Sequence, residues 1–203
     1  MTIKKKFFLY LALGIAALLI GVFIFFTPIL EFILTQRMSH YTIPGVSVTL
    51  INNNRIEWSK SFGINSNSTK IPVSAETRFQ AASVSKMLVS ALVLRLAEKG
   101  ILGLDEDINR YLRSWKIPEN EFSQKRKLTI RDLLTHQSGF PDSGFPYEDG
   151  KIPSLIQVLD GEYPAKNQAA ILEFVPGTKW RYSNLDFVVL QLIIEDVTGA
   201  SLN

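Results

Sequence analysis

From Phe7 to Leu30 the chain runs without a charged residue and is almost wholly apolar, and Lys4, Lys5 and Lys6 stand directly before it. A helix of that length crosses a hydrocarbon core of roughly 30 Å with some tilt. The lysine flank predicts an N-terminus kept in the cytoplasm. A cleaved leader is the competing reading, but the run exceeds the apolar core of a signal peptide and no A-x-A-like site follows it. The pattern therefore predicts a transmembrane signal-anchor helix over 7–34, with 1–6 cytoplasmic and 35–203 an extracytoplasmic domain. Gln36 to Thr42 reads as a short polar stalk. Val46, Val48 and Leu50 then alternate, Asn52 to Asn54 make a turn, and Ile56 and Trp58 alternate again before Gly63, the pattern of a β-hairpin. Past a polar loop through Ser66, Asn67 and Ser68, the spacing predicts a helix that buries Met87, Leu88, Ala91, Leu92, Leu94 and Leu96 and stops at Gly100. Short helices and loops follow. Thr129 is the expected N-cap of one, and Asn184 to Thr198 form a long amphipathic helix closed by Gly199.

The apolar N-terminus accounts for much of the 46% hydrophobic content, and its flank accounts for the net charge. Of 22 basic and 19 acidic residues, removing Lys4 to Lys6 leaves 19 of each, so no basic patch is expected for nucleic acid. The absence of cysteine excludes lipoprotein attachment, disulfides and thiolate metal sites. His40 and His136 are the only histidines and lack a carboxylate spacing that makes a ligand set, so neither a metal nor a cofactor is expected. Asp105, Glu106 and Asp107 read as a solvated helix start with favourable dipole placement.

Candidate chemistry starts at Ser83-Val84-Ser85-Lys86, which opens the first long helix after the hairpin. A serine hydroxyl becomes a nucleophile when a base removes its proton, and a lysine three residues along shares its helical face. The lysine acts as that base only if it is held neutral, or it hands the task to a second group. Tyr182 is such a group, as a phenolate stabilised by Lys86, and the Asn184 amide can orient both Lys86 and a substrate amide. Taken alone, S-x-x-K is weak, because ordinary usage yields about one chance match in a chain of this size. Its context carries the weight.

That context is Thr77 to Lys86, then Leu133-Leu134-Thr135-His136-Gln137-Ser138-Gly139, then Pro176 to Asn184, in that order. Together these motifs resemble the β-lactamase-related serine hydrolases, relatives of class C β-lactamases, D-alanyl-D-alanine carboxypeptidases and esterases. The resemblance runs from about Ile43 to the last residue. It implies an α and β, β-lactamase/transpeptidase-like fold, an acyl-enzyme on Ser83, catalytic roles for Lys86 and Tyr182, and substrate binding by Asn184. It implies substrates that are β-lactams, D-amino-acid peptides or esters. It also makes His136 part of a structural turn. Independently of the resemblance, Trp180 and Arg181 flank Tyr182 and are candidates to line the cleft, with packing the expected role for Trp180. The family's third element, lysine or histidine, any residue, then glycine, lies on a strand that also supplies one oxyanion-hole N–H. No such tripeptide occurs in this chain. The expectation is thus a C-terminally truncated domain, with its hairpin short of sheet neighbours, that is inactive as it stands, since one lost oxyanion donor costs about a hundredfold to a thousandfold in rate. The alternative is a non-catalytic, membrane-tethered fragment or pseudoenzyme that binds peptidoglycan-like peptides or partners.

Overall fold

Two units make up the chain in the computed structural model, which describes residues 14–15 and 28–202; one ends at Gln80 and the other begins at Ala81. The first holds a helix, α1, described over 28–40, and a hairpin of β1 (Gly45–Asn52) and β2 (Arg55–Gly63). Asn53 and Asn54 close the hairpin with φ of 47° and 58°, the left-handed pair that a two-residue type I′ turn requires and that asparagine tolerates. The strands pair antiparallel from Gly45 opposite Gly63 to Asn52 opposite Arg55, with a register shift between Leu50 and Ile51. Val46, Val48 and Trp58 are half-buried, whereas Leu50 and Ile56 are exposed. No further strand joins this two-stranded sheet among the described residues.

The polar stalk expected at Gln36 to Thr42 is instead helical up to residue 40. Met38 explains the difference: it is buried and packs where a Cβ on Gly63 would come within 3.0 Å of its Cε. An ion pair between Glu31 and Lys60 adds a tie from α1 to β2. Most of the anchor expected over 7–34 lies outside the described residues, and among those described no helix is long and apolar enough to cross a membrane.

The second unit is helical. After a 3-10 turn at Ala82–Val84 come α2 (Ser85–Glu98), a 3-10 turn at Ile108–Arg110, α3 (Glu121–Lys125), α4 (Ile130–Leu134), α5 (Leu155–Asp160) and α6 (Leu185–Thr198). Its core is organised by α6, where Leu185, Val189, Leu190 and Ile193 are fully buried, and α2, α4 and α5 all pack against it. The expected stop signals operate. Gly199 ends α6 in the left-handed region at φ 68°, and Thr129 caps α4 in a reciprocal capping box with Asp132. Asp107 accepts from Asn109 N–H at 2.9 Å and so caps the short turn after it, while Asp105 pairs with Arg131 at 2.6 Å.

One expected face is turned around. On α2 the buried residues are Val93 and Leu96, with Leu92 half-buried, whereas Met87, Leu88 and Leu94 are exposed. The helix is apolar on nearly every side in this stretch, so periodicity could not choose which side meets α6. The face that turns inward seats Val93 and Leu96 in the core and leaves Lys86 bonded to Asn184 at the start of α6.

Candidate active site

Ser83 sits in the 3-10 turn that leads into α2, directly after Ala82, whose φ of 46° is unusual for a residue with a Cβ. Three residues on, within the first turn of α2, Lys86 points back along the same face. Its Nζ donates to Ser83 Oγ at 3.1 Å and to Asn184 Oδ1 at 2.7 Å. Tyr182 Oη lies 2.8 Å from Ser83 Oγ and donates to Asn184 Oδ1 at 3.2 Å. All four residues singled out in the sequence therefore meet in one hydrogen-bonded cluster, although 99 positions separate Ser83 from Tyr182.

Asn184 occupies the N-cap position of α6 yet makes no capping hydrogen bond with its side chain. Its amide is committed elsewhere: Oδ1 accepts from Lys86, and Nδ2 donates to Ser143 O at 3.1 Å. Ser183 takes over locally, with its Oγ accepting from Leu185 N–H at 3.2 Å and donating to Pro141 O at 2.8 Å. The Lys86 ammonium stands 5.1 Å from the Tyr182 ring centroid and 5.5 Å from that of Phe187. Its hydrogen-bonding presence, followed by that of the Ser83 hydroxyl, holds the Tyr182 phenol below its ordinary pKa.

Arg181 and Trp180 depart from the expected roles. The Arg181 guanidinium turns away from the cluster, donating to Gly139 O at 2.9 Å and Phe140 O at 2.8 Å and pairing with Glu173 at 2.6 Å. It clamps the segment before α6 to the loop after α4. Trp180 does not pack in the core, being 67% exposed, and its ring stands edge-to-face with that of His136 at 6.3 Å between centroids. Beside Lys86 and Asn184 opens a cavity of about 180 Å³ lined by Val89, Phe145, Phe187, Val188 and Gln191.

Two residues at the cluster were not singled out for chemistry in the sequence. His136 lies against the Tyr182 ring at 4.6 Å between centroids, and its Nδ1 is 2.7 Å from Asp186 Oδ2. Burial pushes the Asp186 carboxyl up to about 6, with the His136 hydrogen bond pulling the other way. No sequence pattern links the two, and the structure adds that His136, just past the end of α4, takes a left-handed φ of 57° where glycine is the usual residue.

The helical unit and this cluster define a β-lactamase/transpeptidase-like α and β chain. Residues 30–203 match the family described as Beta-lactamase, and the chain belongs to it. It is 27% identical over 164 residues to Protein flp of Staphylococcus aureus, an alignment covering 78% of this chain and 31% of the relative. It is 29% identical over 181 residues to Esterase EstB of Burkholderia gladioli, covering 85% of this chain and 46% of that one. The octameric penicillin-binding protein homologue from Pyrococcus abyssi superposes with a TM-score of 0.69 at 26% identity, over 86% of this chain and 40% of the homologue. The chain thus spans less than half the length of each of these proteins.

Proposed function

We propose that this chain carries the acylation centre of a serine hydrolase of its family, in which Ser83 forms an acyl-enzyme from an ester, a β-lactam or a D-amino-acid peptide, with efficient turnover expected only where the family's third element and its oxyanion donor are also supplied. The observation that carries the reading is the Ser83, Lys86, Tyr182 and Asn184 cluster, whose hydroxyl, ammonium, phenol and amide lie within hydrogen-bond reach of one another. Tyr182, once ionised to the phenolate that Lys86 favours, takes the Ser83 proton as Oγ attacks the substrate carbonyl. The same phenol returns the proton to the departing alkoxide or amine. Lys86 stays beside the Tyr182 oxygen in both its phenolate and phenol forms, and Asn184 holds Lys86 in place. Water then adds to the acyl carbon by the reverse proton path and frees Ser83. Similarity to an esterase favours ester substrates, and the apolar cavity beside Lys86 suits a small hydrocarbon or aromatic group. The apolar run and lysine flank at the N-terminus support attachment to a membrane with the hydrolase unit outside the cytoplasm.

A fluorophosphonate probe tests the nucleophile. Labelling should fall on Ser83 and vanish in Ser83→Ala. Labelling that persists in that variant, or that maps to Ser85, would remove Ser83 from the role.

A further inference from the structure

We propose that His136 and Asp186 form a buried pair that positions Tyr182, the imidazole serving as the plate against which the phenol ring rests and the carboxyl group fixing that plate's rotation. The inference rests on the reading of Tyr182 as the proton acceptor for Ser83. Three elements meet here: His136 from the turn after α4, Tyr182 from the segment before α6, and Asp186 from the first turn of α6.

The ring of His136 is held on several sides. Tyr182 lies 4.6 Å away at 44°, Phe187 5.6 Å away at 48°, and Asp186 Oδ2 2.7 Å from Nδ1. Its backbone is held as well, since Arg181 N–H donates to His136 O at 2.8 Å and ties the residue to the chain one position before Tyr182. A shift of this ring therefore shifts Tyr182. Such a shift matters, because about 1 Å of misplacement in a catalytic constellation costs on the order of a hundredfold in rate.

Asp186 is an expensive way to anchor a ring for stability alone. Its side chain is fully buried, Oδ1 makes no well-formed hydrogen bond among the described residues, and the Ser138 hydroxyl is the polar group that approaches the carboxyl besides His136. A half-satisfied buried carboxyl weakens a fold relative to an apolar side chain of similar size. The Asp186 carboxyl and the Ser183 N–H, at 3.3 Å, both meet Nδ1, and the short contact to Oδ2 holds the imidazole at one rotation. The charged groups whose fields reach the trio are Arg181 at Asp186, and Lys86 and Asp142 at Tyr182.

The test uses the full chain with tyrosines labelled by carbon-13 at Cζ, the Tyr182 resonance being assigned through its loss in Tyr182→Phe. His136→Asn removes the plate while suiting the left-handed backbone at this position. Asp186→Leu removes the anchor and the unpartnered oxygen, whereas Asp186→Asn keeps an amide that can hold the ring. His136→Asn and Asp186→Leu should fold, move the Tyr182 titration upward toward the ordinary value of about 10, and slow fluorophosphonate labelling by about tenfold or more. Asp186→Asn should stay within about threefold of the parent in labelling rate, since its amide keeps the ring contact and less than about 0.7 kcal/mol is then lost. Folded His136→Asn and Asp186→Leu proteins with an unmoved Tyr182 titration would overturn the inference. A parent chain that fails to label at Ser83 would instead overturn the proposed hydrolase, because the Tyr182 titration is read without any reaction.

Discussion

Lys86 Nζ touches both Ser83 Oγ and Asn184 Oδ1, so the residue that lowers the Tyr182 pKa also fixes the nucleophile's neighbour. Lys86→Ala and Tyr182→Phe should each slow Ser83 acylation sharply, and the double variant should lose far less than the product of the two, because groups sharing one proton path are not additive. Multiplicative losses in labelling kinetics would separate them. The acylation rate should rise with pH through the depressed Tyr182 pKa, and Lys86→Met should carry that inflection upward by removing the cation that lowers it. Asp186 acts in the opposite sense on stability. Its folded value, about 6, lies above its ordinary 3.8, so its stabilising contribution is complete below 3.8 and is lost as pH rises through 6. The loss is about 3 kcal/mol at most. Urea midpoints should consequently fall between pH 4 and 7 in the parent chain and stay flatter in Asp186→Asn. The four cluster residues were legible in sequence because each sits in a short motif whose chemistry needs its neighbours. His136 and Asp186 were not, because a contact across 50 positions leaves no local pattern.

Helix α2 carries two faces with different work. Val93 and Leu96 are buried, Lys86 reaches toward α6, and the apolar side chains of Val84, Met87, Leu88 and Leu94 point to solvent at the start and along the opposite face. The hairpin, α4 and α6 could be read from alternation, capping and stop signals, since each has one strongly marked boundary or period. A helix apolar on most sides has no such mark, and its orientation is decided by tertiary partners that periodicity does not encode. The same division sets mutational costs. Leu190→Ala, in the fully buried face of α6, should cost roughly 2–5 kcal/mol, while Leu88→Ala should stay within about 0.5 kcal/mol. Thr129→Ala should cost roughly 0.5–2 kcal/mol, because it removes the cap of α4 and one partner of the buried Asp132. Chemical denaturation of the three variants checks the order. A Leu88→Ala loss as large as that of Leu190→Ala would show that the exposed face of α2 is covered in solution.

At the scale of the whole chain, balanced charge beyond the lysine flank leaves little electrostatic repulsion to keep molecules apart. Against that background Val84, at the end of the turn before α2, and Met87 and Leu88, in the first turns of α2, are each about two-thirds exposed, with Leu94 further along the helix. An apolar stripe of this kind is a contact surface by ordinary hydrophobic arithmetic, and nothing among the described residues covers it. Residues 35–203, taken without the apolar N-terminus, should therefore self-associate as concentration rises. The double substitution Met87→Gln with Leu88→Gln breaks the stripe at its centre without touching Ser83, Lys86 or the buried face. It should shift sedimentation velocity profiles toward the monomer while leaving the helical circular dichroism signal unchanged. Association that persists in the double variant would move the adhesive surface elsewhere, the exposed Ile51 and Ile56 at the hairpin tip being the next to substitute.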